Sequence, residues 1–463
     1  MKRNKINFLI LAVPILLLAA SCKKSFFTDV NTNPNGASTV GPNLLLSTVE
    51  ASLAYTQGGD IARFASLITQ QTFGAASQTQ TYYIYGFNPG NFDNVWPDLY
   101  TSTMENNYTL INIADKGGYD VYSGVSRILM AYTLQVTVDC WGKIPYSQAF
   151  TGNAGSPNLH PVFDDDKALY DTIVSLINVG IAKLSTSTPG AITPGADDIL
   201  YSGNTASWIR FAHAIKARLY LHQSKNNATM ANNALAEIAQ SFSSNKQNAS
   251  YIFGTAETAA NPWYQFNRDR AGNIYYSQTT IAAQLLNLSD PRYSIYIDSA
   301  NDLPGKKVGN HWGGLNDYYG SVNSPIEFIT YDELLFAKAE ATITATGSIA
   351  SAQPIYQAAI QANMQKLGVD PGAITTYIAA QGTLPVSGPA EAIGQIASQA
   401  YLALYLNPEA WTTWRRTNSP SLLPVSGSAV PRRLLYPQSE YSYNTANVPA
   451  NVTITSPKIF WDN

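Results

Sequence analysis

The chain has 463 residues, a formal net charge of −3 and only 13% charged side chains, so it has no basic surface field to attract nucleic acid. Its polar surface must come mainly from uncharged side chains, and it contains 29 tyrosines. This composition favours contact with a neutral, hydroxyl-rich ligand, and it is also common among secreted proteins of no particular specificity.

The first 21 residues have the three parts of a lipoprotein signal peptide. The basic stretch MKRNK is followed by the apolar stretch INFLILAVPILLLAA, and small residues then precede Cys22. This order resembles a bacterial lipobox, so we expect cleavage to leave Cys22 as a lipidated N-terminus. The alternative is an ordinary secretory signal with a chance cysteine. Residues 22–41 are predicted to be a tether, and Cys140 is predicted to be a small buried side chain.

Apolar residues recur at helical spacing in eight further segments. No convincing run of alternating strand residues is present in the sequence, so the predicted fold class is all-α. Some segments resemble tetratricopeptide helix pairs, without a clean repeat of about 34 residues. Residues 42–463 are therefore predicted to form a single α-helical domain. The predicted helices cover 42–57, 96–115, 122–142, 163–184, 205–224, 331–344, 352–368 and 391–407.

Long irregular loops separate these helices, and they are rich in Gly, Pro, Asn and aromatic residues. Loops of this length are usually functional or disordered, and disordered segments are poor in aromatics. We therefore expect ordered loops that carry a ligand site on a helical scaffold. These loops cover 72–95, 143–162, 250–276, 300–325 and 417–463.

Motifs of catalysis and metal binding are not found in the sequence. It has no Gly-x-Ser-x-Gly, His-Glu-x-x-His, Cys-x-x-Cys or phosphate-binding glycine loop. The acidic run 164–166 could bind calcium, although a helix N-cap is the favoured interpretation. His213 and His222 are predicted to be ordinary helix residues, and Asp197 and Asp198 to face solvent. The sequence therefore predicts no enzyme, no cofactor and no metal, with a glycosidase-like carboxylate pair as the alternative.

Three loops combine flat aromatic rings with polar side chains. Sugars present C–H faces that aromatic rings cover, and hydroxyl groups that polar side chains bond. The loops are 78–96, 263–276 and 310–320, and packing into the core is the alternative for each ring. Trp312 and the Tyr318–Tyr319 pair are expected to form an open aromatic platform. The candidate ligand-binding residues are Trp312, Tyr318, Tyr319, Asn316, Asp317, Tyr82, Tyr83, Tyr85, Asn267 and Arg270.

Several strings, taken in order, resemble the SusD/RagB family of outer-membrane nutrient-binding lipoproteins. Each string is weak alone, but their common order behind a lipobox makes the resemblance specific. The strings are FDNVWPDLY (92–100), VDCWGKIPYSQAF (138–150), NPWYQF (261–266), LSDPRY (288–293), ITYDELLFAKAEA (329–341) and WRRTNSP with PRRLLYPQSEYSYN (414–444).

The resemblance implies a lipid-anchored outer-membrane protein that faces the cell surface. Such a protein captures an oligosaccharide, or in some members a peptide, and delivers it to a SusC-like TonB-dependent transporter. Its scaffold is built of degenerate tetratricopeptide pairs, with the ligand site on the loops. The stretch CKKSFF lacks the acidic residues that often follow the lipidated cysteine, which leaves a periplasmic orientation open. A helical scaffold that only docks other envelope proteins is the other alternative.

Overall fold

The computed structural model describes residues 40–152, 157–186, 190–225 and 227–462. The chain divides into two units, and the larger one, Pro42–Asn463, is compact. The smaller unit, Met1–Gly41, lies almost wholly outside the described residues. The predicted signal peptide, Cys22 and the tether up to residue 39 therefore lie outside them.

Helices dominate the described residues, which confirms the predicted all-α class. Two stretches, Gln57–Ile61 and Asp98–Glu105, have π-helical hydrogen bonding. Short 3₁₀ turns occur at Pro89–Phe92, Asn245–Gln247 and in two other loops. The α-helices are α1 (Pro42–Thr56), α2 (Ala62–Ile68), α3 (Ser77–Tyr83), α4 (Val95–Pro97), α5 (Asn106–Gly117), α6 (Asp120–Trp141), α7 (Asp166–Ser185), α8 (Thr205–His222), α9 (Ala228–Ile238), α10 (Pro262–Asp269), α11 (Thr280–Asn287), α12 (Tyr293–Tyr296), α13 (Asp317–Gly320), α14 (Tyr331–Thr346), α15 (Ile349–Lys366), α16 (Pro371–Gln381), α17 (Pro389–Ala403), α18 (Glu409–Thr417) and α19 (Gln438–Tyr443).

Each of the eight predicted segments contains a helix. The other helices lie outside these segments, because none of them is longer than 11 residues and a helical period cannot be read reliably from so short a stretch. They are α2, α3, α9 to α13, α16, α18 and α19. The acidic run does cap a helix, since the Asp165 side chain accepts hydrogen bonds from the backbone N–H groups of Lys167 and Ala168.

Helix α6 lies at the centre of the hydrophobic core. All of its residues except Asp120 and Arg127 are buried, so it is enclosed on every side. It packs along α7, and the two helices approach closely at glycines. A Cβ atom on Gly124 would lie 2.9 Å from the carbonyl oxygen of Gly180. Only a residue without a side chain allows this spacing.

Helices that are neighbours in the chain pack as pairs. The pairs are α6 with α7, α8 with α9, and α14 with α15, and further contacts of α14 with α9 and α17 join the pairs into one body. The turn after α14 is short because Gly347 takes a left-handed conformation with a φ of 71° and caps the helix. This packing is similar to that of tetratricopeptide pairs.

Six short strands form two-stranded antiparallel pairs among the described residues. They are β1 (Phe73–Gly74), β2 (Ala249–Ile252), β3 (Ile274–Tyr275), β4 (Lys307–Val308), β5 (His311–Trp312) and β6 (Pro325–Ile329). Strand β1 pairs with β3, β2 with β6, and β4 with β5. Each pair connects two segments of irregular chain, and the three pairs do not form a sheet layer. The strands are too short for an alternating pattern to be read from the sequence.

Two acidic side chains, Asp198 and Glu50, are buried although carboxylates usually lie at the surface. Asp198, expected to face solvent, is only 1% exposed. Its carboxylate accepts hydrogen bonds from Trp208 Nε1 and from the N–H of Gly203, both at 2.7 Å. The loop before α8 therefore folds around Asp198. Glu50 on α1 is also fully buried and accepts a hydrogen bond from the N–H of Ile199 at 2.7 Å.

Among the described helices, α7 has the length and composition of a membrane-crossing helix. In its most apolar 18-residue segment, 33% of the residues are buried. Helices of a protein core pass the same test, and α7 packs along α6.

Candidate ligand-binding site

A cleft with a volume of 430 Å³ opens between α1, the π-helical stretch Asp98–Glu105 and α10. This volume lies within the range of small-molecule sites. We call it the first cleft. It is lined by Ala51, Ser52, Tyr55, Thr56, Asp98, Ser102, Tyr251, Phe253, Gly254, Thr258, Ala259, Ala260 and Gln265.

Tyr55 is the most exposed aromatic ring of the first cleft. Its residue is 45% exposed, because Leu53 and Val49 of the same helix take the face that points to the core. Its hydroxyl donates a hydrogen bond of 2.9 Å to Oε1 of Gln265. The amide nitrogen of Gln265 is held by the carbonyl of Ala260 at 3.1 Å. The cleft thus offers a flat ring that is fixed in place beside a polar group.

Asp98 supplies a carboxylate on the opposite wall. Within the described part of the chain, this carboxylate makes no hydrogen bond. Burial raises its pKa, and the negative charge of Asp60 raises it further. Arg63 does not neutralise it, since that guanidinium pairs with Asp60 and lies 4.7 Å from the ring centroid of Phe266. Asp98 is therefore free to accept hydrogen bonds from a ligand.

One π-helical stretch lines this cleft, and the other begins directly after two of its lining residues. Tyr55 and Thr56 directly precede Gln57–Ile61, and Asp98 and Ser102 belong to Asp98–Glu105. Such stretches are rare, and they are found frequently at functional sites. Their position supports the first cleft as the binding site.

Helix α10 connects the first cleft to the loops that the sequence singles out. Asn261 caps the helix by accepting a hydrogen bond from the N–H of Trp263 at 2.8 Å. Gln265 faces the cleft, whereas the ring of Tyr264 lies edge-on to Trp312 with 6.5 Å between ring centroids. Asn267 turns inward and accepts a hydrogen bond of 2.7 Å from the hydroxyl of Tyr276.

The structure brings the three predicted loops together. The first and second loops meet at Asn273, whose carbonyl oxygen accepts a hydrogen bond of 2.6 Å from the hydroxyl of Thr79. The second and third loops meet where Tyr264 contacts Trp312. One continuous loop region therefore lies beside the first cleft.

The predicted open platform does not match the packing of this region. Tyr319 is 8% exposed, and its ring packs on that of Tyr405 at 5.3 Å. Tyr82 is stacked on Phe87 at 5.3 Å, and Tyr85 is 7% exposed. Tyr319 and Tyr85 contact residues more than 80 positions away, whereas Tyr82 is covered by Phe64 and Phe87, which are closer in the chain.

Most of the other predicted residues already have protein partners. The ammonium group of Lys307 lies 5.7 Å from the ring centroid of Trp312, which is half-buried. Asn316 caps α13, Asp317 pairs with Nδ1 of His311 at 2.6 Å, and the hydroxyl of Tyr318 donates to Glu327 at 3.2 Å.

Tyr83 packs edge-on against Phe73, and Arg270 is exposed. No predicted residue is among the described residues that line the first cleft. Contact of the ten predicted residues with a ligand stays a prediction.

The lining residues from Tyr251 to Gln265 lie in the predicted loop 250–276, whereas Tyr55 and Asp98 were missed because they lie in segments predicted to be plain helix. Tyr55 falls within the predicted helix 42–57 but off its apolar stripe. A large aromatic ring on the polar face of a helix is the signal that could have identified it.

A buried cluster of Asp139, His222 and Glu409 has a spacing that could hold a metal ion. Both ring nitrogens of His222 already have partners, Glu409 at 2.8 Å from Nε2 and the hydroxyl of Tyr170 at 2.9 Å from Nδ1. Burial lowers the pKa of His222 to about 3, so its ring is neutral. We interpret the cluster as a core hydrogen-bond network in which His222, expected to be an ordinary helix residue, takes a central place.

Comparison with known proteins gives consistent results. Residues 34–437 match the model of a SusD-like family described as starch-binding and associating with the outer membrane. A SusD/RagB family protein from Bacteroides thetaiotaomicron has a similar structure, with 22% identity, a TM-score of 0.72, and coverage of 92% of this chain and 99% of that one.

A chitin-binding SusD homolog from Flavobacterium johnsoniae is 20% identical, with a TM-score of 0.72 over 91% of this chain and 99% of that one. At these sequence identities, the similarity to the two solved structures shows a shared fold. None of the curated proteins matches the chain.

Proposed function

Since this chain belongs to the SusD-like family of outer-membrane-associated proteins, we propose that it captures a neutral oligosaccharide in the first cleft for uptake. The observation that carries the proposal is the exposed ring of Tyr55, fixed beside Gln265 and opposite the free carboxylate of Asp98. A neutral oligosaccharide requires an aromatic ring to cover a sugar face and polar groups to form hydrogen bonds with the sugar hydroxyls.

The charge of the cleft favours a neutral glycan over an acidic one. Among the described residues that line it, none is a lysine or an arginine, and Asp98 adds a negative charge. A sulfate or uronate group would meet a like charge with no cation to offset it. The family description as starch-binding and the chitin-binding neighbour agree with a glycan ligand in preference to a peptide.

Anchoring and delivery form the second part of the proposal. Lipid on Cys22 would hold the protein on the outer membrane, facing the cell surface, where a SusC-like TonB-dependent transporter would receive the ligand. The lipobox-like sequence and the outer-membrane association of the family support this arrangement. We expect Cys22→Ser to release the protein from the membrane fraction, and a pull-down with the native protein to recover a TonB-dependent barrel.

Calorimetric titration with oligosaccharides tests the binding role. We expect malto- or chito-oligosaccharides to bind, and oligogalacturonides and unrelated peptides not to bind. The same oligosaccharides should be recovered intact after incubation, since a binding protein releases its ligand unchanged. A well-folded protein that binds only peptides, or none of these compounds, would overturn the proposal, and hydrolysis of a glycan would make it an enzyme.

A further inference from the structure

A second cleft, with a volume of 410 Å³, lies next to the first one. It is nearly the same size, and it also lies within the range of small-molecule sites. Its lining includes Trp96, Tyr100, Glu105, Phe150 and Glu440.

The two clefts share one wall. The residues 97–105, which we call the ridge, run between them. Asp98 and Ser102 line the first cleft, whereas Pro97 and Thr101 line the second and are exposed. A helix with its side chains is about 10 Å across, so the two clefts are separated by little more than the width of one helix.

The second cleft has an aromatic wall. The rings of Tyr100 and Phe150, which both line the cleft, are stacked with 6.3 Å between their centroids. Tyr108 is outside the lining and stacks on Phe150 at 5.4 Å. Phe150 and Tyr100 are half-buried, and Tyr108 is 38% exposed. Phe150 has a φ of 61°, a conformation that bulky residues rarely adopt, and the ring stack holds it there.

Hydrogen-bonding groups in the second cleft resemble those of the first. The carboxylate of Glu105 makes no hydrogen bond within the described part of the chain, and burial raises its pKa. Glu440 accepts a hydrogen bond of 3.1 Å from Nε1 of Trp96, which fixes its position. None of the described lining residues is a lysine or an arginine. Each cleft therefore combines aromatic surface with an unengaged carboxylate, and the described lining of each offers no cation to an acidic ligand.

From this arrangement we infer that one oligosaccharide chain crosses the ridge and occupies both clefts at once. The inference rests on the proposed function and specifies its ligand: a neutral glycan long enough to extend past the ridge. The exposed side chains of Pro97 and Thr101 form the crossing point, and Tyr55 and the Phe150 stack hold the two ends.

A series of chito- and malto-oligosaccharides of increasing length, measured by calorimetry, tests this inference. The second cleft adds binding only after the ligand reaches it, so affinity should rise on the order of tenfold or more at that length and then level off. If the oligosaccharides bind but their affinity does not change with length, the inference is overturned and the proposed function remains intact.

Variants of the second cleft give an independent test. Phe150→Ala and Glu105→Gln should weaken binding of the longest oligomer several-fold and leave the shortest unchanged, whereas Tyr55→Ala should weaken both. Thr101→Arg places a long side chain on the ridge, so it should weaken binding of the long oligomer and leave that of the short oligomer unchanged. Melting temperature and circular dichroism show that each variant is folded.

Three outcomes would contradict the inference, each in a different way. If the variants of the second cleft leave every oligomer unchanged while Tyr55→Ala weakens them, the ligand stays in the first cleft and only the inference fails. If the variants weaken short and long oligomers alike, the second cleft is the sole site. If the folded protein binds no oligomer of either series, the proposed function fails together with the inference.

Discussion

The hydroxyl of Tyr55 donates a hydrogen bond of 2.9 Å to Oε1 of Gln265, and this contact joins α1 to α10 across the first cleft. The two residues are 210 positions apart, so the wall of the cleft depends on the tertiary fold. We expect Tyr55→Ala to weaken oligosaccharide binding roughly tenfold, because stacking of an aromatic ring contributes about 0.5–1.5 kcal/mol. Tyr55→Phe keeps the aromatic ring and should therefore lose less affinity than Tyr55→Ala. The exposed Tyr443, which lines neither cleft, is a matched control as Tyr443→Ala, and calorimetry is the measurement.

Trp312 distinguishes the loop region from the first cleft as the binding site. The sequence places the ligand on Trp312, whereas the structure shows this ring half-buried beneath Lys307. With the ligand in the first cleft, Trp312→Ala should leave the Kd within about twofold of the wild-type value, since it removes no contact there. A loss as large as that of Tyr55→Ala would assign the ligand to the loop instead.

The close approach of α6 and α7 predicts a stability effect. Gly124→Ala would place a Cβ atom 2.7 Å from Cγ of Leu184 and 2.9 Å from the carbonyl oxygen of Gly180. We expect a loss of roughly 1–3 kcal/mol in the free energy of unfolding, which is typical of overpacking. Gly195→Ala, where no atom lies within 4 Å, is the control. Urea unfolding measures both, and equal stability of the two variants would contradict the packing argument.

Glu50 predicts a pH dependence of stability. Burial raises its pKa well above the usual value, and the charge of Asp198 raises it further. The folded protein therefore keeps a proton that the unfolded chain loses above about pH 4.3, and the free energy of unfolding falls as the pH rises from there toward the folded pKa. Glu50→Gln keeps the shape without this proton, so it should be more stable than the wild type at neutral pH.

Urea unfolding at about pH 5 and about pH 8 measures this effect, because the two values bracket much of the predicted change. The difference in stability between wild type and Glu50→Gln should grow from the lower to the higher pH. The exposed Glu391 offers the control Glu391→Gln. A constant difference between wild type and Glu50→Gln would show that Glu50 is ionised in the folded state.

The buried ion pair of Arg218 and Glu333 predicts a non-additive loss of stability. The guanidinium donates two hydrogen bonds of 2.8 Å to the carboxylate. Arg218→Met leaves a buried charge without its partner and should cost about 3–5 kcal/mol. The double variant Arg218→Met with Glu333→Leu should recover part of that loss in urea unfolding. A double variant as unstable as the sum of the two single ones would argue against direct coupling.

The long helices could be predicted from the sequence because their apolar residues repeat every three to four positions. The burial of individual rings could not. Tyr319 is covered by Tyr405, a partner that lies far away in the chain, and no local pattern encodes such a contact. The same holds for the first cleft, whose walls come from residues 51–56, 98–102 and 251–265. The sequence singled out a loop region that lies beside the first cleft, and tertiary contacts decide which rings remain exposed.

The helical geometry of the ridge constrains how this protein can evolve. Asp98 and Ser102 face one cleft, and Pro97 and Thr101 face the other, only because they occupy successive positions around one helix. Deleting or inserting one residue upstream within the helix would rotate them by roughly a quarter turn and exchange the side chains that each cleft receives. We therefore expect relatives with new ligands to differ by substitution along the ridge, whereas length changes should accumulate in the surrounding loops.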